Sequence, residues 1–290
     1  MTLLIIDADH ISHRAAASCQ PTKAKSYQEE EHVALSRAKG IIEGLAYTYN
    51  NPTMEFYIAG ENNWRKEFYP EYKANRAQQE RPAHLDAVRE MLVTEYSASV
   101  VNDMEVDDMC GIRMTQEEWQ YKELQDYRGK VVCVSLDKDL LQVPGYHYSW
   151  EISGTTSTGT KWVKPAQEIL VSPLDGLRRF YKQVVLGDQS DNIPGFDGKF
   201  RSSMPKFIQA LVEPIDYMTE EIDMYQHCAK LYLEAGNSTD NMVRNAKLLY
   251  VMRKHDERWT IPWQSGQRDV NAASLFLCYV AGQGDGHLNF

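Results

Sequence analysis

Acidic side chains follow several apolar runs of the sequence, at the positions where strands would end. Asp7 closes the run at 3–6, Glu61 lies just past the run at 55–59, and Asp137 and Asp139 follow the run VVCVS at 131–135. Because the carboxyl ends of parallel strands meet at one edge of a sheet, side chains from distant parts of the chain converge there. The sequence therefore predicts an acidic crevice at that edge.

Two more acidic segments fall at the same predicted edge. The segment MEVDDM places Glu105, Asp107 and Asp108 at the start of a helix after the run at 98–101, and LGDQSDN places Asp188 and Asp191 after a later helix. Each acid alone could be a turn residue, a helix cap or a residue that favours a helix N-terminus through the dipole. Four such motifs at one edge favour a common site.

With Asp9 included, up to ten carboxylates could face this site. Two unit charges about 4 Å apart repel by roughly 4 kcal/mol at an effective dielectric near 20. A cluster of this size must therefore bind cations or take up protons. Oxygen ligands without a Cys or His partner favour Mg²⁺ or Mn²⁺, and more than four carboxylates indicate two ions.

The composition describes a folded, acidic chain. It has 290 residues, 31 basic and 41 acidic side chains and a net charge of -10, so it can form one large domain or two that share an interface. An acidic balance disfavours nucleic acid as a partner, but if ten acids lie in one site the remaining chain is neutral on average. No apolar run is long enough for a membrane span and the start lacks a basic signal region, so we expect a cytoplasmic protein. Five scattered cysteines without a CxxC pair indicate buried thiols.

The order of apolar runs and helical patterns predicts the architecture. Runs at 3–6 and 55–59 flank a helical pattern, which is a βαβ rhythm, and further helices and runs follow to residue 135. We therefore predict an α/β fold with a parallel-rich central sheet flanked by helices. Residues 145–164 read as a hairpin, and helices are expected at 174–186, 203–213, 220–235 and 239–254, after a boundary near 172.

The segment from Asn62 to Pro82 interleaves basic and aromatic residues. It has five bases and three acids, and its aromatic residues include Trp64, Phe68 and Tyr72. Basic groups beside aromatic rings suit a single-stranded backbone with stackable bases. An ordinary solvated surface segment is the alternative.

Six motifs together resemble the structure-specific 5′ nuclease family, and most closely the short-arched 5′-3′ exonucleases of small tailed bacteriophages. They are IIDADH (5–10), NWRKEF (63–68), PEYKANR (70–76), EVDDM (105–109), SLDKDLLQ (135–142) and LGDQSDNIPG (186–195). The resemblance implies a PIN-like nuclease core at 1–172 with a basic helical arch at about 62–90. It also implies a helical DNA-binding region at 173–290, with a helix-three-turn-helix at about 184–213, that completes the metal site.

The resemblance also implies roles for individual residues. The acids that would hold or support a first metal are Asp7, Glu105, Asp107 and Asp108, those for a second metal are Asp137, Asp139, Asp188 and Asp191, and Glu61 stands where the family has Asp. The catalytic set would be Lys73, Arg76, Asp7 and Asp107. The DNA-binding set would be Tyr72 as a stacking ring, Lys73, Arg76, Arg81, Gly195, Gly198, Lys199, Arg201 and Lys206. In the family the glycine loop commonly holds a K⁺ ion, but Phe200 replaces the third glycine here, which predicts a different local loop and weakens the case for K⁺.

The implied function is divalent-metal-dependent hydrolysis of DNA near a 5′ end, as a 5′-3′ exonuclease or flap endonuclease in phage-type replication or degradation. Two Mg²⁺ or Mn²⁺ ions would activate water and leave a 5′-phosphate product. The substrate would be a duplex, nick or flap, with RNA of RNA–DNA hybrids as a second substrate, and the protein would be a monomer. Two alternatives remain open. One is a haloacid-dehalogenase-type phosphatase with Asp7 as nucleophile, which leaves EVDDM and YKANR unexplained, and the other is a non-catalytic DNA-binding protein with a degenerate site.

Overall fold

The computed structural model describes residues 2–21, 26–116, 130–156, 159–201 and 204–262. Its strands are β1 (Thr2–Asp7), β2 (Thr53–Ala59), β3 (Ser99–Val101), β4 (Lys130–Val134), β5 (Gly145–Ser149), β6 (Ile152–Thr155), β7 (Lys161–Lys164) and β8 (Gln167–Val171). Its α-helices are α1 (Ala8–Ser18), α2 (Glu31–Thr48), α3 (Trp64–Phe68), α4 (Leu85–Tyr96), α5 (Val106–Met114), α6 (Pro173–Leu186), α7 (Lys206–Val212), α8 (Glu221–Glu234) and α9 (Thr239–Leu249). Shorter 3-10 helices lie at Ala74–Gln78, Asp139–Gln142 and Glu213–Tyr217.

A six-stranded sheet forms the centre, in the order β3-β2-β1-β4-β5-β8. The first five strands are parallel, and β8 pairs antiparallel with β5 at the edge. The run from Leu3 to Ile6 is buried on both faces of this sheet, as expected for a continuous apolar strand with helices on each side. The predicted α/β fold with a parallel-rich sheet is confirmed.

Helices cover both faces of the sheet. On one face Leu4 and Ile6 pack with Ile42 of α2 and Leu92 of α4, and on the other Leu3 and Ile5 pack against α5. The helical spacing predicted for α2 is confirmed, because Ala34, Ala38, Ile42 and Leu45 form its buried face. The opposing layers hold β1 in the middle of the core, so Asp7 emerges at its carboxyl end.

The C-terminal helices pack around their own apolar cluster. Phe180 and Tyr181 of α6 lie in it with Tyr232 of α8 and Ala246 of α9. Ser172 caps α6 by accepting a hydrogen bond from the Asp175 amide, with Pro173 in the first turn. The structure begins α7 at Lys206 and ends α9 at Leu249, so the predicted helix at 239–254 is too long by five residues. Residue 203, the first of the predicted helix at 203–213, lies outside the described residues.

The predicted hairpin at 145–164 is partly wrong. Its first part is β5, which joins the main sheet beside β4, while the antiparallel pair is β6 with β7. The strand β8 was missed, because Gln167 and Glu168 interrupt its apolar pattern. An edge strand exposes one side to water, so its sequence lacks the continuous apolar run of a central strand.

The segment at 62–90, predicted as a helical arch, contains α3, the 3-10 helix Ala74–Gln78 and the start of α4. α4 packs against α1 and α2 and therefore belongs to the layer that covers the sheet. Within the described part of the chain, no helix is long and apolar enough to cross a membrane. Cys19, Cys110, Cys133 and Cys228 are free and buried, as predicted, and Cys278 lies outside the described residues.

Candidate active site

Asp7 is the buried end of the central strand. It also caps α1, with its Oδ1 accepting a hydrogen bond from the Asp9 amide at 3.2 Å, while its Oδ2 accepts one from Ser135 Oγ at 3.0 Å. The Nε2 of His10, one turn along α1, lies 3.2 Å from the same Oδ2. Burial, opposed by His10 and reinforced by Asp9 and Asp137, raises the pKa of Asp7 to about 6. Asp7 is thus held in a position where its charge is only partly compensated.

The N-terminus of α5 brings a second acidic group to this edge. Glu105 is the N-cap residue and forms a capping box with Asp108. Asp107 lies in the first turn, and burial together with the charges of Asp137 and Asp7 raises its pKa well above the ordinary value. These carboxylates therefore face one another, as the strand-end argument predicts.

The loop after β4 links the site to the C-terminal helices. Asp137 Oδ1 accepts a hydrogen bond from the Asp139 amide at 2.8 Å. Burial and the charges of Asp137 and Asp188 raise the pKa of Asp139 to about 7. Asp188, after α6, is held by the amide and hydroxyl of Ser190, at 2.7 and 2.5 Å. The acids of the two predicted metal sets are therefore close enough to affect one another.

A cleft of about 800 Å³ opens over part of this acidic set, while Asp139, Asp188 and Asp191 are not among the described residues that line it. Its wall includes five of the predicted acids, both cations predicted as catalytic and two histidines of α1, namely Asp7, Asp9, Glu105, Asp107, Asp137, Lys73, Arg76, His10 and His13. The histidines were not predicted as site residues, because the sequence shows no ligand spacing for them. The cleft thus places basic groups opposite an acidic floor, which is the arrangement that a phosphodiester bound through cations requires.

Lys73 contacts carboxylates from two distant parts of the chain, Glu105 at the start of α5 and Asp191 after α6. Its backbone is left-handed, with φ of 56°, and its amide donates to the Asp191 carbonyl at 3.0 Å. Its Nζ pairs with Glu105 and lies 3.5 Å from Asp191 Oδ2. Burial would raise the pKa of Glu105, but Lys73 and Arg65 outweigh it and hold that pKa at about 2. Arg76 pairs with the other oxygen of Asp191 at 2.5 Å.

The prediction that Tyr72 stacks on a nucleobase is wrong. Its side chain is 2% exposed and packs in the C-terminal cluster, so its ring offers no face to a base. The hydroxyl instead lies 2.8 Å from both Glu105 Oε2 and Asp191 Oδ2 and donates its single proton to one or the other. Its role is to hold these two carboxylates together.

Asp108 is fully buried and has a separate partner. The guanidinium of Arg65 binds its carboxylate through two nitrogens, with NH2 2.9 Å from Oδ1, and the Met252 amide donates to Oδ1 at 3.0 Å. Arg65 also donates to the carbonyls of Leu248 and Tyr250, at 2.8 and 2.7 Å. Sequence reasoning missed Arg65, although it lies within the NWRKEF motif.

Asp9 and Glu61, the remaining two candidate metal ligands, lie in different surroundings. Asp9 accepts a hydrogen bond from the Ala59 amide at 3.0 Å and pairs with Arg89 of α4, so it joins α1, β2 and α4. Glu61 is exposed just past β2, where its amide donates to Asn102 Oδ1 at 2.9 Å.

In the loop after α6, the phosphate contacts predicted for the amides of Gly195 and Gly198 are wrong. The Gly195 amide donates to the Lys199 carbonyl and the Gly198 amide to the Gly195 carbonyl, each at 2.9 Å, so both are already engaged. Gly198 has φ of 75°, which explains a glycine there, and Phe200 is exposed. The side chain of Arg201 is largely buried against Asp197. The predicted cations that stay exposed are Arg76, Arg81, Lys199 and Lys206. Of these, Arg76 pairs with Asp191, Arg81 with Asp86, and Lys199 lies 3.7 Å from Asp197.

The acidic side chains of the site suit a divalent ion by their chemistry rather than by their present arrangement. Among the described residues, no group of three or more Asp, Glu, His or Cys side chains is arranged so as to hold a metal ion as it stands. Yet the raised pKa values of Asp7, Asp107 and Asp139 show like charges brought together in a buried place. A hard cation with oxygen ligands relieves this repulsion, so the chemistry of the donor set fits Mg²⁺ or Mn²⁺. Small side-chain movements would be needed to complete the coordination.

The fold and cleft define an α/β protein with an acidic site at the carboxyl edge of a largely parallel sheet. The family model described as the 5′-3′ exonuclease N-terminal resolvase-like domain matches residues 2–166. The chain therefore belongs to the 5′-3′ exonuclease family and is a nuclease. The predicted family resemblance is confirmed, and the phosphatase alternative is set aside.

One of the similar solved structures supports the same fold at low sequence identity. The phage T5 D15 protein, co-crystallised with metal ions, shares 16% identity at a TM-score of 0.51, over 86% of this chain and 89% of its own. A mutant T5 5′-exonuclease shares 16% at 0.48, over 86% and 87%. A T5 D15 flap endonuclease complex with DNA and metal ions shares 17% at 0.44, over 83% and 99%. No curated protein matches the chain.

Proposed function

We propose that this nuclease hydrolyses phosphodiester bonds near the 5′ end of DNA with the help of divalent cations. The observation that carries the proposal is the cleft in which Lys73 and Arg76 stand opposite Asp7, Asp107 and Asp137. The family supports a 5′-3′ direction. The T5 D15 protein, which has a similar fold, was crystallised with metal ions.

The acids gathered at the carboxyl edge of the sheet and in the loop after α6 are the best candidates to hold metal. Asp7 and Asp107 would bind a first ion, and Asp137, Asp139 and Asp188 would bind a second. Glu105 and Asp191, which both lie beside Lys73, would be available to either ion. When bound, such ions lower the pKa of a water and polarise the phosphoryl group. Asp108 has both oxygens engaged by Arg65 and Met252, so we assign it to positioning α5. We keep Glu61 as an outer candidate, because its side chain is exposed beside the site.

Lys73 and Arg76 would bind the phosphate that is cut. Lys73 is held between Glu105 and Asp191, which keeps its ammonium inside the cleft. The pKa of Lys73 is raised, since the neighbouring carboxylates outweigh burial, so it stays charged at neutral pH. A fixed cation here neutralises charge that gathers on the phosphoryl oxygens.

The wider function follows from the family. Exposed Lys199, Lys206 and Arg81 are candidates for contacts with the phosphates of a duplex, nick or flap. We propose a phage-type role in DNA replication or degradation in the host cytoplasm, by a monomer, with RNA of RNA–DNA hybrids as a second substrate. A K⁺ ion at the glycine loop has little support, because Phe200 replaces the third glycine of the family's loop.

The test is cleavage of a 5′-labelled duplex by wild type and by the Asp137→Ala, Asp188→Ala double variant. Wild type should release nucleotides from the 5′ end with Mg²⁺ or Mn²⁺ and none with EDTA, and the double variant should be folded but inactive. The matched control is Asp86→Ala with Asp216→Ala, which removes two acids from exposed ion pairs. Binding without cutting by wild type would favour the non-catalytic alternative, and retained cutting by the double variant would overturn the two-metal assignment.

A further inference from the structure

Cationic side chains from the C-terminal third lie on aromatic rings of the segment that follows β2. The guanidinium of Arg258 is 4.1 Å from the centroid of the Trp64 ring, and Nζ of Lys247 is 5.7 Å from that of Phe68. The Trp64 and Phe68 rings are themselves 6.2 Å apart. A third such contact adjoins them, and we call the whole set the aromatic-cation strip, which consists of Trp64, Phe68, Tyr69, Arg244, Lys247 and Arg258.

The cations of the strip carry uncompensated charge. Arg244 lies 4.7 Å from the Tyr69 ring. Within the ranges that the structure describes, Arg244, Lys247 and Arg258 form no ion pair with Asp or Glu. Phe68 is 45% exposed. In a chain with a net charge of -10, three unpaired cations beside an exposed ring form a surface that favours an anionic partner.

The strip begins at the rim of the catalytic cleft. Asn63, Lys66 and Pro70 line the cleft, and they alternate along the chain with Trp64, Phe68 and Tyr69 of the strip. α3 therefore presents one set of residues to the cleft and another to the strip. An anionic polymer that leaves the cleft on this side meets the strip next.

We propose that the strip binds single-stranded nucleic acid that leaves the cleft, as an unpaired 5′ strand. Cations spaced along aromatic rings match a backbone whose phosphates need positive charge and whose bases need flat partners. A duplex stacks its bases internally and offers no base face to Phe68. The inference rests on the proposed function and extends it, because it assigns the path of the unpaired strand.

The experiment measures binding in EDTA, so that no cleavage occurs. Fluorescence anisotropy follows a labelled single strand and a blunt duplex of equal length, with wild type and with Phe68→Leu, Phe68→Ala and Lys247→Ala. Tyr47→Ala removes an exposed aromatic ring from α2, and Lys230→Ala removes an exposed cation from α8, so these are the matched controls. Thermal melting checks that each variant is folded, and Phe68→Leu keeps apolar packing if the alanine variant is unstable.

Phe68→Leu and Phe68→Ala should raise the Kd for the single strand about tenfold, within the range measured for a lost base-aromatic stack. Lys247→Ala should also raise it, and all three variants should change the Kd for the blunt duplex less than twofold. Lys247→Ala should also reduce the slope of log K against log salt by about 0.7, the value for one phosphate contact on a single strand. Equal losses on both substrates, variants that match their controls, or displacement by an acidic peptide of equal charge would overturn the proposal. Cleavage by wild type with Mg²⁺ is measured separately. It distinguishes an error in the strip proposal from an error in the proposed nuclease function.

Discussion

Replacement of Arg65 by methionine should destabilise the metal-free protein strongly. The guanidinium of Arg65 is almost fully buried and makes two hydrogen bonds to Asp108 and one each to Leu248 and Tyr250. Methionine has a similar length but cannot donate, so the Asp108 carboxylate keeps only the Met252 amide as a strong partner at 3.0 Å. Removal of one partner from a buried ion pair costs about 3–5 kcal/mol, and we expect a loss of that size in the free energy of unfolding.

Urea unfolding in EDTA at neutral pH, followed by circular dichroism, measures this loss. The double variant Arg65→Met with Asp108→Leu removes both charges and should recover most of the stability, since a buried ion pair replaced by apolar residues is often neutral. The Met252 amide and the Leu248 and Tyr250 carbonyls lose these partners in the double variant, so a residual loss of at least about 1 kcal/mol should remain. Arg113→Met is the control, because Arg113 pairs with Glu55 nearer the surface and should matter less.

Two results would refute this reasoning. A loss below about 1 kcal/mol for Arg65→Met would show that the pair contributes no more than an exposed one does. A double variant whose loss equals the sum of the single losses would show that Arg65 and Asp108 act independently.

Three further predictions concern the cleft. Lys73→Ala should lower kcat at least tenfold and change duplex affinity little, and equal losses in gel-shift and turnover assays would contradict a role at the reacting phosphate. Tyr72→Phe removes the hydroxyl between Glu105 and Asp191 and should weaken Mn²⁺ binding in calorimetry while thermal melting stays close to wild type; unchanged Mn²⁺ affinity would speak against it. Burial and neighbouring acids raise the pKa of Asp139 from 3.8 to about 7, so its stabilising contribution is complete below pH 3.8 and is lost as pH rises through about 7. The free energy of unfolding in EDTA should therefore fall over that window, and less in Asp139→Asn; identical pH slopes would exclude the proposed repulsion.

Much of the site could be predicted from the sequence. An apolar run followed by an acid is a local pattern, and the carboxyl ends of parallel strands lie at one edge of the sheet. Asp7 and Asp137 follow adjacent central strands, β1 and β4, so the argument applies to them directly. Asp107 joins them because α5 begins at the same edge.

The partners of these acids were beyond sequence reasoning. Arg65 and Asp108 are 43 residues apart, and Tyr72 and Asp191 are 119 apart, so no local pattern links them. One signal was available for Asp108: consecutive residues on a helix point about 100° apart, so Asp107 and Asp108 could not both face the cleft. Tyr72 was misassigned because an aromatic residue beside Lys73 and Arg76 has the composition of a nucleic-acid contact, and composition does not reveal burial.

The hydrogen bonds that bury Arg65 have a consequence for folding during translation. Carbonyls at Leu248 and Tyr250 and the amide of Met252 complete this buried pair, and Asp188 and Asp191 reach the cleft from beyond α6. A nascent chain that has emerged only as far as its sheet would thus have an incomplete acidic site, and its Arg65–Asp108 pair would lack the backbone partners from 248–252. We expect the chain to be translated at least through Met252 before the enzyme can cut.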